Sequence, residues 1–225
     1  MNRIWVIAAL SLAWVLVRVA LRPLLALVFG AGIGQRALAG VPTTVRLTRG
    51  GDGAWKNADL ARKLWEPLLA QGFTDAGTFV AAEVPGVVMR LLASSADSIM
   101  AIAYEHPQAG HWLELVTRYT DGRRCSATNM RDPGVSAPPN VTTLRAVGAT
   151  PVTVLEMMRR KRPEGTMVPI GPGDVARLFE EGYAESMTWR QQHGITRGEV
   201  VKVAMRRAAL ASDAPHGPAP HGPAR

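Results

Sequence analysis

Acidic residues are nearly absent from the first 56 positions, cysteine occurs once, and the spacings that mark common catalytic centres are missing. Each absence removes a class. The single Cys125 forbids an internal disulfide. Without an H-E-x-x-H helix or a cysteine cluster there is no recognisable zinc-binding spacing. No G-x-S-x-G, P-loop or kinase element occurs. Gly30, Gly32 and Gly34 miss the dinucleotide spacing, and no strand precedes them. The acid deficit also places the charge. Residues 1–56 carry seven basic groups against Asp52 alone, which is +6 of the chain's +8. The remainder holds 19 basic and 17 acidic groups and is near neutral, so no nucleic-acid partner is expected.

What fills the charged end is apolar. Ile4 to Val17 is interrupted only by Ser11, and after Arg18 the apolar character resumes to Phe29. As one helix, Ile4 to Phe29 spans about 39 Å at ~1.5 Å per residue, against a hydrocarbon core of ~30 Å. Arg18 and Arg22 lie four apart on one face, placed to snorkel to a headgroup layer, and Pro23 kinks the helix beyond them. A cleaved signal peptide is the rival, but its small-residue site, Ala37-Leu38-Ala39, lies about twenty residues past the first apolar run, too far for cleavage. The sequence therefore predicts a retained single-pass membrane anchor over residues 1–34, with the lipid bilayer as partner. The basic groups after the run turn the folded domain toward the cytoplasm. Ala26, Gly30 and Gly34 repeat at four-residue spacing and offer a face for a protein partner or homo-oligomer.

Residues 35–53 read as a basic, Gly-rich linker, 54–211 as the folded domain, and 212–225, where APHGP occurs twice, as a disordered Pro/His tail. The domain declares itself between Ser98 and Asn129. Two runs rich in Ile, Tyr, Trp and Val are punctuated by Pro107 to Gly110 and by Asp121-Gly122, a pair suited to a two-residue hairpin turn. Alternation puts Leu113, Leu115, Thr117 and Tyr119 on a buried face and Trp112, Glu114, Val116 and Arg118 on a half-wet one. Ala101 and Ala103 leave a shallow surface on which a helix can lie close. Thr78 to Val84 and Val87 to Ser94, split by Pro85-Gly86, add two strands, and Val141 to Val147 is a possible edge.

Helices are expected at 57–70, capped by Asn57, with a Leu60-Leu64-Leu68 stripe and a break or kink at Pro67; at 151–162, opened by Thr150 and Pro151; and at 174–193, with Val175, Leu178, Phe179, Tyr183 and Met187 inside. A Thr196–Glu199 capping box starts a fourth at 197–210. The fold class is α+β: an N-terminal transmembrane helix, then an antiparallel meander of about five strands packed against three or four helices.

One constellation carries the residue types of a reaction centre. Glu105, His106, His111 and Glu114 crowd one hairpin, and carboxylates with imidazoles make acid/base pairs and metal sites. No ligand motif accompanies them, so neither catalytic residues nor a metal or cofactor is assigned. Arg159, Arg160, Lys161 and Arg162 complement the dipole at the end of their helix and are placed, with Arg18 and Arg22, for a membrane interface. Cys125, beside Arg123 and Arg124, reads as a structural thiol. The leading function is a membrane-tethered, non-enzymatic binding or assembly domain. The alternatives are a metal-dependent or hydrolytic enzyme using Glu105, His106 and His111, and nucleic-acid binding through the last two helices.

Overall fold

The computed structural model describes residues 41–194 together with Thr196 and Glu199. Seven strands form one sheet in chain order: β1 (Leu47–Arg49), β2 (Thr74–Ala81), β3 (Val88–Ser94), β4 (Ile99–His106), β5 (Gly110–Arg118), β6 (Arg124–Thr128) and β7 (Val141–Arg145). Neighbours run antiparallel except β6 and β7, which are parallel. The helices among the described residues are α1 (Ala58–Leu69), α2 (Pro151–Lys161) and α3 (Val175–His193). These strands and helices lie in one compact unit, residues 41–132 and 137–193, whereas Pro133–Ser136, Gly194, Thr196 and Glu199 belong to a second.

Alternation divides the core in two. On one face Val88, Leu92, Ala101, Ala103, Leu113, Leu115, Cys125 and Ala127 meet Ala61, Trp65 and Leu68 of α1 and Val154, Leu155 and Met158 of α2. Ala101 and Ala103 are fully buried there, as their small size requires of a closely seated helix. On the other face Met89, Leu91, Met100, Ile102 and Tyr104 meet Val175 and Leu178 of α3. β4 is therefore covered on both sides, which is why Ile99 to Tyr104 reads as an unbroken apolar run. Burying each large side chain such as Leu113 or Leu115 contributes about 1.5–3 kcal/mol.

The caps form as the residues dictate. The Asn57 side chain accepts the Leu60 N–H and the Thr150 hydroxyl accepts that of Thr153, with Pro151 at the first helical position. Thr196 and Glu199 close a capping box, in which the Glu199 carboxylate accepts the Thr196 N–H at 2.7 Å and the Thr196 hydroxyl accepts the Glu199 N–H at 3.3 Å. The remainder of the expected helix 197–210 lies outside the described residues.

Several expectations are corrected. The sheet has seven strands, not about five, and is not a pure meander. β1 arises in a stretch read as linker. Three residues are too few to show alternation, and the strand is held by its neighbours: Gly50 N–H donates to Thr78 O, and Leu47 N–H to the Glu180 carboxylate. β7 is an edge, as its position suggested, but the 129–140 connection returns it parallel to β6. The buried stripe of α1 is Ala61–Trp65–Leu68, with Leu60 at 45% exposure, because Trp65 brings more apolar area to the core and Ala61 lets it approach. Pro67 does not break α1, which continues to Leu69. The Asp121-Gly122 hairpin has a three-residue loop. Tyr119 N–H donates to Arg123 O, and only Gly122 takes a positive φ, +84°.

The single-pass membrane arrangement, and with it the transmembrane helix and the membrane localisation, is not supported: among the described residues no helix is long and apolar enough to cross a membrane. The apolarity of the folded part is spread over short strands and one-sided helices that bury it against one another. The run Ile4 to Phe29, Arg18, Arg22 and the Ala26-Gly30-Gly34 spacing lie outside the described residues.

Candidate functional site

The four residues that crowd the β4–β5 hairpin in sequence do not converge in space. Glu105 and His111 are register partners on the face that carries α1, and His111 Nε2 lies 2.8 Å from the Glu105 carboxylate. His106 and Glu114 have the opposite strand parity and turn to the face that carries α3. His106 Nδ1 accepts the N–H groups of Gln108 and Ala109, both at 3.0 Å, and so closes the turn. Glu114 accepts from the Ser126 hydroxyl and, at 3.4 Å, from the Tyr104 hydroxyl. Tyr104 stacks on Trp112 with ring centroids 4.5 Å apart, and burial together with the Glu114 charge pushes its phenol well up.

Glu105 is the most occupied carboxylate of the set. Besides His111 it accepts the backbone N–H of Lys56 at 2.8 Å and of Asn57 at 2.9 Å, the two residues that lead into α1. Burial opposes its ionisation, but these N–H groups, with His111, outweigh that and hold the carboxyl below its ordinary value. Both oxygens thus fasten the start of α1 to the middle of the sheet. Among the described residues no group of three or more His, Cys, Asp or Glu is placed to hold a metal ion.

The basic end of α2 is partly committed too. Arg159 Nη2 lies 2.6 Å from the Asp97 carboxylate and Arg162 donates to Asp97 O at 2.8 Å, tying the helix end to the β3–β4 turn. Arg160 and Lys161 are exposed. Cys125 is fully buried, 3.7 Å from Met158 Sδ, and burial pushes its thiol up to about 11; its flanking arginines do not activate it, since Arg123 pairs with Asp121 and the Arg124 side chain leaves by the opposite face.

What sequence reasoning missed is a cluster under α3. Arg118 and Arg124 are direct register partners, a like-charge pair that is unfavourable unless neutralised. Glu181 and Glu185, one helical turn apart, supply the counter-charge: Arg118 reaches both, at 3.0 and 3.2 Å, and Arg124 reaches Glu185 at 3.3 Å. Arg124 also donates to Gly182 O at 3.1 Å, while its buried Nε has no partner. A Cβ on Gly182 would stand 3.1 Å from Arg124 Nη1, so the absent side chain lets the helix settle onto the guanidinium. The i, i+4 glutamates were visible in the sequence; the arginine pair needed the β5–β6 register. Beside the β2 bulge, a shallow hollow of about 420 Å³ is walled by Arg49, Asp75, Gly77 and Pro172, with Asp75 already paired to Arg90.

The two edges of the sheet differ. At β1 the outward Leu47 N–H is taken by Glu180 at 2.6 Å, the Arg46 N–H by Glu83 at 3.1 Å, and the Tyr183 hydroxyl fastens Pro42 O at 3.0 Å. At β7 the outward Val141 N–H is taken by the backbone, by Pro138 O at 3.0 Å. Comparison with protein-family models, with curated proteins and with solved structures finds no match to this chain.

Proposed function

We propose that this chain is a non-enzymatic binding or assembly domain. The observation that carries the reading is the state of the β4–β5 hairpin: its four acid/base residues are divided between the two faces of the sheet, and each is held by bonds within the fold. The commitment of Glu105 to Lys56, Asn57 and His111 supports the same reading, because a hydrolytic or metal-binding role would require that carboxylate to release the start of α1. The test is native electrophoresis of extracts at natural abundance, with the chain detected by antibody. It is expected to migrate in a complex heavier than the 24.2 kDa chain; migration as a monomer throughout overturns the reading.

A further inference from the structure

We infer that the end of α3, Ala184 to His193, is a strap that a single side chain, Glu185, latches to the sheet, and that this strap opens while the rest of α3 stays seated. The helix is attached unevenly along its length. Its first half buries Val175 and Leu178 in the core. Its middle is clamped by bonds: the Glu180 carboxylate accepts Leu47 N–H at 2.6 Å, the Gly182 carbonyl accepts from Arg124 at 3.1 Å, and the Tyr183 hydroxyl donates to Pro42 O at 3.0 Å. Glu181 adds an ion pair to Arg118 at 3.0 Å. Beyond Tyr183 the attachments thin out. Glu185 reaches Arg118 at 3.2 Å and Arg124 at 3.3 Å, the Ser186 hydroxyl takes a long bond of 3.5 Å from Arg124, and Met187 is the one buried side chain. Trp189 and His193 stack on each other with ring centroids 4.5 Å apart, which ties the strap to itself rather than to the sheet.

Opening leaves neither arginine alone. Arg118 keeps Glu181 and Arg124 keeps the Gly182 carbonyl, so the large penalty of an uncompensated buried charge does not arise. The closed state also carries a cost that opening removes: the Nε groups of Arg124 and Arg190 are buried without a partner, and water reaches them once the strap lifts. The latch itself is accessible. The Glu185 side chain is 54% exposed, so its ion pairs are screened by salt, whereas the seating of Val175 and Leu178 is apolar and is not. Once unlatched, the strap is shorter than the ~12–15 residues an isolated helix needs in water, so it unwinds instead of swinging out as a rod. Opening bares the face on which Arg118 and Arg124 stand as register partners, with one carboxylate fewer between them.

Hydrogen exchange of the full chain, followed by mass spectrometry of peptides, tests this between about 0.01 and 1 M sodium chloride, over which the screening length falls from ~30 to ~3 Å. Amides of Met187 to His193 are expected to exchange at least ~10-fold faster at the higher salt, while those of Leu178 to Gly182 change less than about twofold. Glu185→Gln, which keeps the shape and the helix propensity but not the charge, is expected to give the fast exchange already at low salt. The salt series needs no variant and decides the matter if Glu185→Gln does not fold. Acceleration of both segments together means that α3 leaves as a whole, and acceleration of neither means that packing holds its end. Either result overturns the inference, as does salt-dependent opening that Glu185→Gln fails to reproduce.

Discussion

At the scale of the residue, Glu105 shows how a group with catalytic chemistry becomes a fastener. Its carboxylate replaces water with two backbone N–H groups and an imidazole, so Glu105→Gln, which presents an amide N–H to a donor, is expected to destabilise the fold by about 1–3 kcal/mol in urea titrations. Because the folded-state pKa lies below the ordinary 4.5, the contribution of the ionised form is complete above that value and is lost as the pH falls through the lowered one. The stability gap between wild type and Glu105→Gln should narrow over that acid window. A gap that widens across that window contradicts the assignment. Cys125 is the opposite case, a nucleophile silenced by burial. With its thiol pushed to about 11, it is expected to resist a disulfide reagent at pH 8 in the folded chain and to react fully in denaturant; reaction at equal rates in both states refutes the placement.

At the scale of the element, capping and close approach make separate predictions. Asn57→Ala should destabilise by ~1 kcal/mol, measured by thermal unfolding, through loss of the bond from the Leu60 N–H. Gly182→Ala is the sharper test. In a solvent-facing helix position that change stabilises by ~1 kcal/mol. Here the new methyl meets Arg124 Nη1 at 3.1 Å, and Arg124 is pinned by Glu185 and Gly182 O, so the midpoint is expected to stay level or fall. A rise shows that α3 sits loosely on the arginine pair. The helices were legible because their caps are local: Asn57, Thr150 and Thr196 each lie within three residues of the N–H they satisfy. The facing stripe of α1 was not legible. Leu60 and Trp65 compete for the same core, and only the sheet beneath decides between them.

At the scale of the molecule, the sheet is most stable at its centre. β4 has strands on both sides and is buried on both faces, whereas β1 has three residues and one neighbour. Amides of Ile99 to His106 are expected to exchange slowest with solvent and those of Leu47 to Arg49 among the fastest in the sheet, followed by mass spectrometry of peptides. Equal exchange in the two segments contradicts this order.

The sequence by itself determined what depends on near neighbours: the strands between Thr78 and Thr128 by their β-rich runs and Gly-bearing turns, although β2 starts at Thr74 and ends at Ala81, the inward set Leu113, Leu115 and Thr117 by alternation, and the helix starts by their capping side chains. Tertiary structure alone decided what depends on register. It separated Glu105 and His111 from His106 and Glu114, which neighbouring positions on a strand cannot keep on one face. It brought Arg118 and Arg124 under Glu181 and Glu185, more than fifty residues away. It made a strand of β1, whose three residues carry too little pattern to announce themselves, and returned β7, expected as an edge, parallel to β6. The physical reason is common to these cases: a turn or a cap is settled within a few residues of backbone, whereas pairing across the sheet is settled by which chains pack together.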